Sequence, residues 1–294
     1  MATTREARTH SLRTDGADIT YDVLGPLPAP DGRPPLFMIG QPMGASGFTT
    51  LASLLPDRTV VTYDPRGLGR STRSDGRTDN TPEVQAEDVH AIIEALGAGP
   101  VEMFGSSGGA VAALALVVAH PGDVTTLVAH EPPIIPVLQD AEAADRARGA
   151  VKDAYEAKGA NAGMAAFIGM TSWDGEFTDD YFAQPAPDPA AFGMSTEDDG
   201  TRDDPLLSDR SWAVSSYRPD AGALNAAPTR VVIAVGEETG NTFTGRTSVA
   251  TAELLGQRVT VFPSHHGGFA GPESGYAGQP EAFAARLREV LDGR

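Results

Sequence analysis

Residues 101–119 read VEMFGSSGGAVAALALVVA, with Ser107 at the centre of the run Gly105, Ser106, Ser107, Gly108, Gly109. The apolar residues 101–104 have strand character, and the alanine-rich residues 110–119 have helix character. Small residues on either side of a serine let the chain pass from strand to helix through a very sharp turn. The serine hydroxyl is then lifted above the sheet edge, beside the first unbonded amides of the helix. Such a serine is a nucleophile with the beginning of an oxyanion hole.

Outward from this turn the chain alternates. Residues 20–24, 36–39, 59–63 and 124–129 read as strands, and residues 49–55, 83–96 and 110–120 as helices. Residues 36–39 are continuously apolar, as strands covered on both faces are. In the helix at 83–96, Val89, Ile92, Ile93 and Leu96 fall on one face and Gly97 ends it. The rhythm resumes with strands at 230–235 and 259–262 and helices at 249–255 and 280–291. Strand and helix in alternation with short connections imply a mostly parallel sheet with helices on both faces.

Residues 132–228 break the rhythm. They hold helix-like runs at 140–158, 161–169 and 207–217, and a stretch rich in proline and aspartate at 173–204. The interval is too long for a plain loop, so it is expected to be a helical cap inserted into a core made of residues 1–131 and 229–294. Its acidic part, 197–204, lacks the calcium-loop pattern and reads as an exposed turn.

The chain has 294 residues, enough for one large domain with a real core, and a formal net charge of -18. Such an acidic balance argues against nucleic acid as a partner. The absence of cysteine excludes disulfides and thiolate chemistry. No apolar leader follows the N-terminus and no run is long enough to span a bilayer. A cytoplasmic protein is expected, monomeric or homodimeric, with a small molecule as substrate and neither membrane nor nucleic acid as partner.

Ser107 needs a base. His265 and His266 follow the strand at 259–262, and His266 precedes Gly267 and Gly268, which let the loop bend and present its ring. By sequence logic alone His265 serves equally well. A carboxylate must orient the imidazole. Glu237 and Glu238 follow the strand at 230–235, and Glu131 follows the strand at 124–129. The oxyanion amides are expected from Gly108, next to the nucleophile, and from Gln41, after the first buried strand. Met43, Ser106, Trp173 and Trp212 are expected to line the substrate pocket. No histidine and carboxylate set has metal-ligand spacing, and His120 and His130 read as structural, so neither metal nor organic cofactor is expected.

Taken in order, these stretches resemble the α/β-hydrolase superfamily, in its serine hydrolase branch. Residues 105–109 are similar to its nucleophile elbow. Residues 64–71, DPRGLGRS, match its Asp-x-Arg-Gly-x-Gly-x-Ser stretch. Ile39, Gly40, Gln41 and Pro42 resemble its oxyanion loop, and residues 280–283 its closing Pro-Glu-x-Phe helix. The likeness covers residues 19–291 apart from the cap. It implies a sheet of the eight-stranded type, His266 as the catalytic histidine, and hydrolysis of an ester, lactone or thioester without a cofactor. Two departures stand out. Ile39 replaces the usual histidine, and the family's Gly-x-x-Asp acid aligns near Thr239. Glu238, one position early, is then favoured as the acid, with Glu131 as its rival, since some branches take the acid from that strand. The displaced acid is also the argument for a non-hydrolytic, cyclase-like or binding member. Perhydrolysis uses the same triad. Dehalogenases and epoxide hydrolases place aspartate where Ser107 stands.

Overall fold

A computed structural model describes residues 6–293. The opening residues, where no leader was expected, lie outside the described residues. Strand β1 (Ala7–Thr14) and β2 (Ala17–Leu24) form an antiparallel hairpin, and β3 (Leu36–Gln41), helix α1 (Thr49–Ser53) and β4 (Val60–Tyr63) follow. After the two-residue β5 (Thr72–Arg73) come α2 (Pro82–Leu96), β6 (Val101–Ser107), α3 (Gly108–Ala119) and β7 (Val124–His130). The inserted interval carries α4 (Ala141–Lys158), α5 (Ala160–Thr171), α6 (Asp179–Phe182), α7 (Trp212–Ser215) and α8 (Ala221–Ala226). The chain closes with β8 (Arg230–Gly236), α9 (Phe243–Leu254), β9 (Thr260–Phe262) and α10 (Pro280–Leu291).

The strands run in the order β1-β2-β4-β3-β6-β7-β8-β9, with β5 beside β2. Every pair from β4 to β9 is parallel. All residues of β3 and β4 are buried, so both faces are covered, which is why these strands read as apolar runs rather than alternations. Strand β1 was not legible in the sequence. Its residues ARTHSLRT are mostly exposed, and the hairpin is held by backbone pairing at a polar edge.

Helix α3 sits at the centre. Ten of its residues, Gly108 through Val117, are buried, as expected for a helix apolar on all sides. It begins two residues before its apolar run, because β6 continues to Ser107 and passes into the helix with no loop. Helix α2 starts on Thr81, whose hydroxyl accepts from the amide of Val84 at 3.2 Å, and stops at Gly97 in the left-handed conformation, φ 61°.

The insertion adds no strand to the sheet. Helix α4 buries Ala144, Ala147, Val151 and Tyr155, and these join Met170, Phe177, Leu207 and Phe243 in a separate apolar cluster. The end of the interval behaves differently. Val214 of α7 and Leu224 of α8 belong to the main core cluster with α3, so chain from about residue 214 packs as part of the core. The acidic turn at 197–204 is exposed for most of its length, with Asp198 paired to Arg202 at 2.6 Å.

Candidate active site

The site lies where the parallel strands end. Register alone sets the neighbours: Gln41 of β3 pairs with Ser107 of β6, Ser106 with His130 of β7, and His130 with Ala234 of β8. The residues that leave the sheet at this edge therefore emerge side by side.

Ser107 has φ 55° and ψ -125°, a conformation that side-chain-bearing residues rarely adopt. The elbow is possible because its flanks lack side chains. A Cβ on Gly109 would lie 2.4 Å from the carbonyl oxygen of Ile39, and one on Gly108 would lie 2.8 Å from that of Gln41. The first turn of α3 thus rides directly on the end of β3. The Gly108 amide, unbonded at the start of α3, and Gln41 both adjoin Ser107. The loop after β3 is anchored by Asp64, whose carboxylate accepts from the amides of Ala45 at 2.8 Å and Arg70 at 3.0 Å. Arg66 forms a buried two-point pair with Asp88 at 2.6 and 2.7 Å, which ties the loop after β4 to α2.

Glu131, the first residue after β7, is fully buried with φ 51°. Its carboxylate accepts four hydrogen bonds. The Gly236 amide at 2.9 Å and the Thr239 hydroxyl at 2.5 Å donate to Oε1, while the Thr244 hydroxyl at 2.7 Å and His266 Nδ1 at 2.6 Å meet Oε2. Burial alone would raise its pKa. The His266 bond, the nearby imidazoles of His130 and His266 and the Thr239 hydroxyl outweigh burial and hold the carboxyl well below the usual range.

Glu238, the favoured acid in the sequence, does not reach His266. Its side chain is exposed and accepts from Gln279 Nε2 at 2.9 Å. The backbone explains this: the Glu238 amide is tied to the carbonyl of Ser264, and the residue stands at the cavity mouth. Glu237 is likewise exposed, near the amide of Ser264 at 3.4 Å. Thr239, where the family's aspartate aligns, instead donates its hydroxyl to Glu131. His265 stacks on Tyr276 with ring centroids 4.1 Å apart, and its Nε2 meets the carbonyl of Ala277 rather than a carboxylate. Of the two histidines, His266 is the one joined to a buried acid.

Behind this pair, His130 is wholly buried among Phe104, Phe262, Phe269 and Phe283, with ring centroids 5.3 to 6.4 Å away. Burial pulls its pKa down to about 4, opposed by the Glu131 charge and helped by His266, so at neutral pH it is uncharged.

A cavity of about 960 Å³ opens over Ser107 and His266. Gln41, Met43, Ser106, Gly108 and Trp212 line it. Trp173 does not. Its indole N–H donates to the carbonyl of Glu176 at 3.0 Å and its ring meets Tyr181 edge-on, so it packs the insertion internally. Phe167, Ile168, Met170 and Leu207 form an apolar wall, with Arg148 and Lys152 of α4 beside Trp212. Thr244 and the two cations carry no motif, and nothing in the sequence marked them; Thr239 was marked only as the place where the family's acid aligns.

Known proteins agree with this architecture. The chain is 34% identical to an uncharacterized hydrolase, YraK, of Bacillus subtilis over 133 residues, which is 45% of this chain and 47% of that protein. It is 34% identical to a proline iminopeptidase of Xylella fastidiosa over 100 residues, 34% of this chain and 32% of that one. The chain thus spans about half the length, or less, of the curated relatives it matches. Among solved structures, an esterase from Rhodococcus sp. superposes with a TM-score of 0.65 at 20% identity, covering 97% of this chain and 98% of the other. A thermophilic esterase from Thermogutta terrifontis gives 0.61 at 21% identity, covering 98% and 99%. At such identities the likeness establishes the fold alone. The family model described as alpha/beta hydrolase fold matches residues 36–227, from the first parallel strand through the Ser107 and Glu131 turns to the end of the insertion. That is more than half of the sequence, and the chain belongs to the alpha/beta hydrolase fold family.

Proposed function

We propose that the chain is a serine hydrolase that cleaves a small or medium carboxylic ester, lactone or thioester through an acyl-enzyme. The observation that carries the reading is the 2.6 Å contact from His266 Nδ1 to the buried, ionised Glu131, with His266 and Ser107 facing one cavity. A carboxylate on Nδ1 fixes that nitrogen as the protonated one, which leaves Nε2 as the base. In the first step Ser107 Oγ attacks the carbonyl carbon and its proton passes to His266 Nε2. Negative charge on the carbonyl oxygen is met by the amides of Gly108 and Gln41. The imidazolium then protonates the leaving group, stabilised by Glu131. Water, deprotonated by His266, cleaves the acyl-enzyme and restores Ser107. No step requires a metal or an organic cofactor.

The inserted interval acts as the cap that sets substrate size, and its apolar wall favours an uncharged acyl group. The rival non-hydrolytic reading drew on a displaced acid, and the Glu131 contact to His266 supports hydrolysis instead. The test is hydrolysis of a panel of short-chain aryl esters, lactones, thioesters and an L-proline aryl amide. Ser107→Ala is expected to lower kcat/KM by about 10³-fold or more while the fold persists. Unchanged turnover in that variant, or no turnover of any substrate by the wild type, would overturn the proposal.

A further inference from the structure

The half-buried cluster His90, His120 and Asp123 lies far from Ser107, at the end of the sheet where β7 begins rather than where it ends. We propose that these three residues bind one divalent ion of the zinc type, and that the ion clamps helix α2 to the turn that follows α3. Two observations carry this. One ligand atom from each of the three side chains lies within 4.8 Å of the others. In addition, each imidazole has a nitrogen beside a glutamate. His120 Nε2 lies 2.9 Å from Glu87 and His90 Nε2 lies 3.7 Å from Glu94. The remaining His90 nitrogen, Nδ1, is 2.7 Å from Asp123 Oδ2.

For His120 this is the pattern of a metal-binding histidine whose outer N–H is held by a carboxylate, which fixes the tautomer and leaves the inner nitrogen its lone pair; Glu94, at 3.7 Å, is beyond hydrogen-bond reach of His90 and adds negative charge only. The ion sits between His90 Nδ1, His120 Nδ1 and Asp123 Oδ2, with water in the open position. Tetrahedral zinc ligands stand about 3.4 Å from one another. Imidazole lone pairs lie in the ring plane, so the two rings, stacked at 3.7 Å and 6°, must turn out of their stack, and His90 Nδ1 must give up its contact with Asp123 Oδ2, for both nitrogens to face one ion. Two imidazoles and a single carboxylate select zinc, nickel, cobalt or copper over magnesium and calcium, which take oxygen ligands. The surroundings favour a cation. Glu87, Glu94 and Asp123 are all acidic, and His120 caps the negative end of α3, its amide bonded to the Leu116 carbonyl at 2.7 Å. No sequence spacing marks the site, because His90 comes from a different helix and stands 30 positions before His120. Since α3 separates it from Ser107 by 12 residues, about 18 Å of helix, the ion acts on stability and takes no part in hydrolysis.

The test uses the chelator-treated full chain. Cobalt titration is followed by visible absorption, zinc binding by calorimetry, and thermal unfolding is recorded with and without zinc. The expected result is one ion per chain and a Tm raised by several degrees. His120→Gln and Asp123→Asn should abolish both effects, and Glu87→Gln should weaken binding by about tenfold. Glu87 is exposed, so its variant keeps the test valid if His120→Gln does not fold. His265→Gln, at the cavity mouth, should change nothing. Three results would overturn the proposal: no stoichiometric binding at micromolar ion, full affinity retained in both His120→Gln and Glu87→Gln, or loss of binding in His265→Gln.

Discussion

Replacing Glu131 by glutamine keeps the size of the side chain and changes only its charge and donors. The carboxylate accepts at all four of its contacts, and the Gly236 amide and the threonine hydroxyls respond differently to the change. The Gly236 N–H cannot turn away, so the oxygen of the substituted side chain must take the Oε1 position. Its NH2 group then faces Thr244, whose hydroxyl can rotate to accept, and His266 Nδ1. Facing a donor, Nδ1 must accept, which moves the imidazole proton to Nε2. The nitrogen that should receive the Ser107 proton is then already protonated. A wrong tautomer in a triad costs about 10⁴ in kcat, and the range about 10³ to 10⁴ corresponds to about 4 to 5 kcal/mol of transition-state stabilisation. The assay is kcat/KM on the best ester of the panel at pH ~8, with circular dichroism to confirm folding. Glu238→Gln serves as the matched comparison and should stay within about threefold of wild type, since it alters one exposed contact to Gln279. A folded Glu131→Gln enzyme within about tenfold of wild type, or a Glu238→Gln loss as large as that of Glu131→Gln, would refute the reasoning.

Two further outcomes follow from the same edge of the sheet. Gly108→Ala puts a Cβ 2.8 Å from the backbone oxygen of Gln41, which cannot yield as a flexible side chain would. It should lower kcat by about 10²-fold through the displaced oxyanion amides, and stability by about 1 to 3 kcal/mol; wild-type kinetics would contradict the placement of Gly108. His130 makes stability depend on pH. Its pKa is lowered from 6.5 to about 4 on folding, so between those values the unfolded chain binds a proton that the folded chain does not. Its stabilisation is complete above pH 6.5 and is lost as pH falls toward 4, to a limit of about 3 kcal/mol. The urea midpoint should fall across that window, and His130→Leu should flatten the fall; equal slopes in both proteins would remove His130 as its source.

The elbow, the strand and helix rhythm and the loop bearing His266 were legible because each is written locally. A strand buried on both faces must be apolar throughout, and a turn as tight as that at Ser107 admits only small neighbours. Strand β1 escaped for the opposite reason, since an exposed hairpin edge needs no apolar pattern. What sequence left open was which groups from distant segments meet. Glu131 and Glu238 looked alike as residues that follow buried strands. The choice between them came from the register of β7 against β8, which brings the amide of Gly236 and the hydroxyls of Thr239 and Thr244 to Glu131 and leaves Glu238 at the rim. Those donors lie 105 to 113 positions from the acid they hold. His90 and His120 meet in the same way, through the packing of α2 on α3. Sequence by itself determined the fold and marked Ser107 as the proposed nucleophile, because steric limits act on neighbours in the chain. Only the tertiary structure put Glu131 rather than Glu238 beside His266, and the charge of a buried carboxylate is stabilised by whichever donors the fold gathers around it.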